Sequence, residues 1–111
     1  MSTRKSQSAK EVFCQRLKVA RVVAGLSQKR LGILAGIDEF VASTRINRYE
    51  LGIHETDLAT AQRLADVLKV PLAYFYAGSE DLADLILAFP ALTQKQKKVI
   101  MQILEADQNS A

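Results

Sequence analysis

The side chains in this sequence best equipped for chemistry are amides and guanidinium groups, whose work is hydrogen bonding to flat polar edges. Asn47 and Arg48 stand together, with Arg45 just before them. An arginine can grip guanine with two parallel hydrogen bonds and an asparagine can do the same to adenine, each worth ~1–3 kcal/mol of discrimination. Other chemistries lack parts. Cys14 is the single cysteine and His54 the single histidine, so neither a disulfide within the chain nor a cysteine–histidine metal cluster can form. There is no Gly-rich phosphate loop and no nucleophile paired with a base. Glu80, Asp81 and Asp84 fall on the outer face of an amphipathic helix and read as solvated surface. The chain is therefore not expected to be an enzyme, and no cofactor or metal is expected. Cys14, beside Phe13, reads as a small core residue, and His54 as a loop residue at the surface.

Side chains that read base edges need a rigid element that fits a groove. Two runs supply one: Gly25-Leu26-Ser27-Gln28 and Ile46-Asn47-Arg48-Tyr49-Glu50-Leu51-Gly52. Ser27 can cap a helix by accepting an amide proton of its first turn. Leu31, Leu34 and Ala35 then share one face, and Gly36 allows a sharp exit. Val41, Ala42, Arg45, Ile46 and Tyr49 follow helical spacing up to Gly52. A helix, a turn and a second helix form the helix-turn-helix pattern, whose second helix can lie in a DNA major groove.

The rest of the chain supports that unit. The net charge of +3 is unevenly spread: residues 1–50 carry ten Lys/Arg against four Asp/Glu, whereas residues 51–90 carry two against six. A basic half joined to an acidic half fits one face meant for a polyanion. Residues 1–7 read as a flexible basic arm, with Arg4 and Lys5 able to reach phosphate. A first helix from Ser8 or Ala9 to Ala24 turns Phe13, Leu17, Ala20 and Ala24 inward. Asp57 caps a fourth helix with Leu58, Ala61, Leu64, Ala65 and Leu68 on its apolar face. Pro71 opens a short fifth element in which Leu72, Phe75 and Tyr76 cover the core. Residues 8–77 thus make one compact α-helical domain.

Residues 78–106 have another design. Ser79 can cap a helix bearing Leu82, Leu85, Ile86 and Phe89, which Pro90 breaks. Thr93 and Gln96 form a capping box opening a last helix with Val99, Ile100, Ile103 and Leu104. Two such stripes cannot bury themselves, so this helical pair is expected to form a dimer contact. Residues 107–111 read as tail. No apolar run approaches the ~20 residues of a membrane span, and the polar, basic start is unlike a signal peptide. A cytoplasmic protein with no membrane partner is expected.

At these residues the chain resembles the Cro/repressor-type, or XRE-like, helix-turn-helix family. The resemblance runs from about Arg16 to Phe75. It includes Arg16-Leu17-Lys18, Arg21, Gly25 to Gln28, Ala35-Gly36-Ile37-Asp38, Ile46 to Gly52, Arg63-Leu64-Ala65, Leu68, Val70-Pro71-Leu72 and Tyr74-Phe75. It implies an all-α, lambda-repressor-like five-helix domain, here with two added C-terminal amphipathic helices. It also implies a dimeric, sequence-specific regulator of bacterial or phage promoters, its partner double-stranded DNA. Two features depart from the family. About four residues are inserted between Gly36 and Ile46. Either they lengthen the recognition helix by ~6 Å, with Asp38 as cap and Phe40 stapling back onto the preceding helix, or they lengthen the turn. After Gly52, Ile53-His54-Glu55-Thr56 replaces the basic residue and proline often found there.

The resemblance also implies roles. Ser43, Thr44 and Arg48 match positions that face the groove, and Asn47 joins them as a base reader. A rotated helix would bring in Ala42 and Glu39 and drop Thr44. Gln28 matches a residue that contacts phosphate and braces the recognition helix; Lys18, Lys29 and Arg45 are the other phosphate candidates. Arg21 and Glu50 match a pair buried between helices, a clamp. The competing reading is an antitoxin or adaptor that holds another protein through its C-terminal helices.

Overall fold

The structure, a computed structural model, describes residues 7–109. Arg4, Lys5 and the arm expected over residues 1–7, apart from Gln7, lie outside the described residues, as do residues 110–111 of the expected tail. Six α-helices follow one another: α1 Ala9–Val23, α2 Gln28–Leu34, α3 Ala42–Leu51, α4 Leu58–Leu68, α5 Glu80–Ala88 and α6 Gln94–Asn109. Short 3-10 turns occupy Leu72–Tyr76 and Phe89–Ala91. The described residues contain no strand, and the fold is all-α. α6 continues through residues 107–109, where tail was expected.

Local chemistry sets the helix starts. Ser8 accepts from the amide of Glu11 while Glu11 accepts from the amide of Ser8, a reciprocal box at α1. Ser27, Asp57 and Ser79 each accept the amide of the residue three positions on. Thr93 and Gln96 close the box that opens α6. Gly52 ends α3 at φ +74°, a left-handed conformation that costs a Cβ-free residue little.

Leu17, Leu31, Ile46, Leu64 and Phe75 are fully buried where α1 to α4 and the first 3-10 turn meet. Each such side chain contributes ~1.5–3 kcal/mol by leaving water. Phe13 meets Phe75 edge to face at 5.1 Å between ring centres. Ala24, Leu34 and Leu58, placed inward from the sequence, are exposed instead. α2 spans only seven residues, so one narrow stripe through Leu31 and Ala35 suffices to seat it. At the base of the core Tyr74 and Phe75 are the buried pair, while Tyr76 is half-exposed.

The inserted residues lengthen the turn, not the helix. Asp38 Oδ1 accepts the amide of Phe40 at 2.8 Å, the Asp38 carbonyl accepts the amide of Val41 at 3.1 Å, and α3 starts only at Ala42. Phe40 is 87% exposed and staples nothing. Two forces explain this. The Asp38 carboxylate competes for amide protons that a longer helix would use. The start of α3 is also fixed by close packing on α2, since a Cβ added to Gly32 would lie 2.7 Å from the Cβ of Ala42.

That contact carries a first prediction. Valine at position 32 gains helix propensity over glycine by a fraction of ~1 kcal/mol, but overpacking against Ala42 costs ~1–3 kcal/mol. Gly32→Val is expected to melt several degrees below the parent chain. An unchanged melting temperature would mean that α2 and α3 are not packed so closely.

α5 is held to the domain by Ala83, which is buried, and by Ile86, packed at the core's edge. α6 stands away: residues 101–108 are exposed throughout. The radius of gyration is 16.8 Å, against ~13 Å for a compact chain of this length.

Candidate nucleic-acid interface

The 3.6-residue period divides α3 into two faces. Ala42, Ile46, Tyr49 and Glu50 point into the protein, whereas Ser43, Thr44, Arg45, Asn47 and Arg48 are exposed. Ala42, which a rotated helix would have offered to the groove, lies flat against α2, and Glu39 lies on the preceding turn.

Beneath the outward face is a polar chain linking three helices. Arg21 on α1 forks onto Glu50 of α3, with Nε donating to Oε2 and Nη2 donating to Oε1 at 3.1 Å. Arg21 Nη1 donates to the Leu26 carbonyl at 2.9 Å, which ties in the entry to α2. The side chains of Arg21 and Glu50 are only 13% and 3% exposed. Gln28, the first residue of α2, donates from Nε2 to Glu50 Oε1 at 3.0 Å and to Asn47 Oδ1 at 3.1 Å. Both protons of that amide are thus used inside the protein. The backbone amide of Gln28, in the first turn of α2, is left to meet an acceptor from outside. Asn47 keeps its own NH2 group for an outside partner.

Cations frame this face. Lys18, Ser27, Gln28 and Asn47 line a shallow cleft of about 430 Å³ between α1, α2 and α3. Lys29 is exposed in the first turn of α2. Arg45 and Arg48 line a second hollow with His54 and Glu55 on the loop after α3. The Cys14 thiol donates to the Tyr49 carbonyl at 3.2 Å, and burial pushes its pKa up, so it stays protonated and braces α3. Among the described residues no His, Cys, Asp and Glu side chains gather as a metal site, and no helix is long and apolar enough to cross a membrane.

The C-terminal stripes are largely uncovered. Leu82, Leu85, Val99, Ile103 and Leu104 are exposed, Ile103 by 63%. Ile86, Ile100 and Phe89 are half-buried. Phe89 is covered by its own chain, with Lys97 Nζ 5.4 Å from the ring centre.

Sequence reasoning missed Arg16. Its guanidinium donates twice to the Ala77 carbonyl, at 3.2 and 2.9 Å, once to the Ser79 carbonyl at 3.2 Å, and pairs with Glu80 at 3.0 Å. It also lies over the Tyr74 ring. Arg63 does similar work, donating to the Ala35 carbonyl at the end of α2. Most of these partners are backbone carbonyls far along the chain, which leave no trace in side-chain patterning.

Comparison with known proteins agrees with this geometry. The profile of the family HTH_3, helix-turn-helix, matches residues 17–75. The fold is similar to a solved structure described as the crystal structure of transcriptional regulator BswR. The two share 47% identity over 84% of this chain and 92% of that one, with a TM-score of 0.76. A search of curated proteins finds no match.

Proposed function

The chain belongs to the HTH_3 helix-turn-helix family, and we propose that it is a sequence-specific DNA-binding transcriptional regulator, a repressor that grips a near-palindromic operator as a homodimer. The observation that carries this reading is the outward face of α3, with Ser43, Thr44, Asn47 and Arg48 exposed above the buried Arg21–Glu50 pair. In this mechanism α3 enters the major groove, where Arg48 takes guanine, Asn47 donates to a base acceptor, and Ser43 and Thr44 contact neighbouring edges. The backbone amide of Gln28, with Lys18, Lys29 and Arg45, holds phosphates on either side. The exposed stripes of α5 and α6 join two copies so that their recognition helices lie ~34 Å apart, one turn of duplex. A dimer so placed excludes polymerase sterically from a promoter in the cytoplasm, its own promoter included. The likeness to a protein described as a transcriptional regulator supports the same reading.

Selection of bound sequences from random duplex, followed by a salt titration, tests it. The recovered site should be two-fold symmetric, and affinity should fall with salt by ~0.9 log unit per log unit of salt for each phosphate neutralised. A slope near zero would remove the phosphate contacts. Arg48→Ala should relax selection at one base pair in each half-site, by ~1–3 kcal/mol. Its melting temperature should match the parent chain, because Arg48 is exposed.

The second reading, an adaptor or antitoxin, draws on the same uncovered stripes of α5 and α6. A toxin-like protein that copurifies in fixed ratio would favour it, and a homodimer alone would favour the regulator.

A further inference from the structure

We propose that Phe40 is a specificity-determining residue that reads the 5-methyl group of a thymine at the edge of the segment contacted by α3. The inference rests on the DNA-binding reading and adds a contact that the helix alone does not supply.

Phe40 sits two residues before the first residue of α3, on the lengthened turn. The N-terminal end of a recognition helix is the part that contacts base edges, so the turn leading into it is carried to the groove. Phe40 is also fixed. Its amide is held by Asp38 Oδ1 at 2.8 Å, and the next amide, of Val41, by the Asp38 carbonyl at 3.1 Å. The ring projects from a pinned backbone with 87% of the residue in water, next to Val41, itself 43% exposed. No core contact needs it there.

An aromatic ring gains little from phosphate oxygens, which want donors. The one apolar group that base pairs display in the major groove is the thymine methyl. Glu39, exposed beside Phe40, repels phosphates, so the turn is better suited to base edges than to the backbone. A methyl held against the ring removes both from water, and one buried carbon of that size is worth about a fourfold change in affinity.

The test replaces each thymine by deoxyuridine, one position at a time, in a duplex recovered by selection from a random pool. Only the methyl is removed. For the wild-type chain, one position in each half-site should weaken binding by about three- to fivefold. For Phe40→Ala that position should become silent, while melting temperature and salt slope stay unchanged. A flat scan for wild type, an equal loss in Phe40→Ala, or a recovered site without thymine at its edges overturns the inference. A change in the oligomeric state of Phe40→Ala without DNA would assign the ring to a protein contact and also overturn it. Salt-dependent duplex binding with a flat scan overturns this contact alone; absence of such binding overturns the DNA-binding reading with it.

Discussion

Glu50→Gln, which exchanges a single heavy atom, is expected to melt more than about 10 °C below the parent chain. The substitution keeps the shape of the side chain and exchanges one carboxylate oxygen for an NH2 group. The carboxylate receives two bonds from Arg21 and one from Gln28, all from donors. An amide in its place sets donor against donor on one side and leaves Arg21, 13% exposed, without its counter-charge. Breaking a buried pair by removing one partner costs ~3–5 kcal/mol, because the remaining charge is neither hydrated nor matched. In a small domain each kcal/mol is worth ~4–8 °C. Thermal denaturation beside Arg48→Ala provides the contrast, since that side chain lies in water. If both variants melt together with wild type, the pair does not clamp α3. Base reading by Glu50→Gln should persist at temperatures where it stays folded, because the remaining amide oxygen can still accept from Gln28, which braces Asn47.

The double variant Ile103→Glu with Leu104→Glu is expected to be monomeric and to bind a two-half-site duplex at least about a hundredfold more weakly than wild type. The argument is one of effective concentration. A dimer that has placed one recognition helix presents the second at a local concentration near millimolar, which multiplies affinity by ~10²–10⁴ without any new contact. Ile103 and Leu104 lie on the exposed stripe of α6, so carboxylates there are not placed in the domain's core. Light scattering reads the mass, and binding to a duplex with one half-site, expected to be unchanged, isolates the avidity. A wild-type chain already monomeric at working concentration, or a variant that binds both duplexes as wild type does, would refute the proposed dimer contact.

Features written in neighbouring residues were legible in the sequence. Ser27, Asp57, Ser79 and the Thr93–Gln96 box cap helices from positions three residues apart, so their partners are fixed by helix geometry alone. The buried stripes of α1 and α4, with Leu17 and Leu64 fully enclosed, follow the apolar period. Of the contacts between distant partners, the Arg21–Glu50 pair was foreseen only through the family resemblance, and others were not legible. Leu58 has the right spacing to point inward but starts its helix at the rim and stays in water. The insertion before α3 offered a helix cap and a turn from the same Asp38; the turn forms, with Asp38 bonding the Phe40 amide and Ala42 packed against Gly32 of α2. At the interface, the outward side of α3 could be read from the position of Ile46. The use of both Gln28 amide protons inside the protein could not, because it needs α2 and α3 in register.

Arg16 and Arg21 are on the same helix, α1, and they face opposite jobs. One fastens the start of α5 through Ala77, Ser79 and Glu80, and the other fastens α3 through Glu50. α1 thus sets the distance from the gripping element α3 to the start of α5 as a stiff dimension, like the jaw of a fixed-gauge tool. Its lettering, by contrast, resides in solvent-facing side chains, of which Asn47 alone is tied to a fastening, through Gln28. A lineage carrying this chain could acquire new target words while the distance from α3 to the start of α5 stays constant.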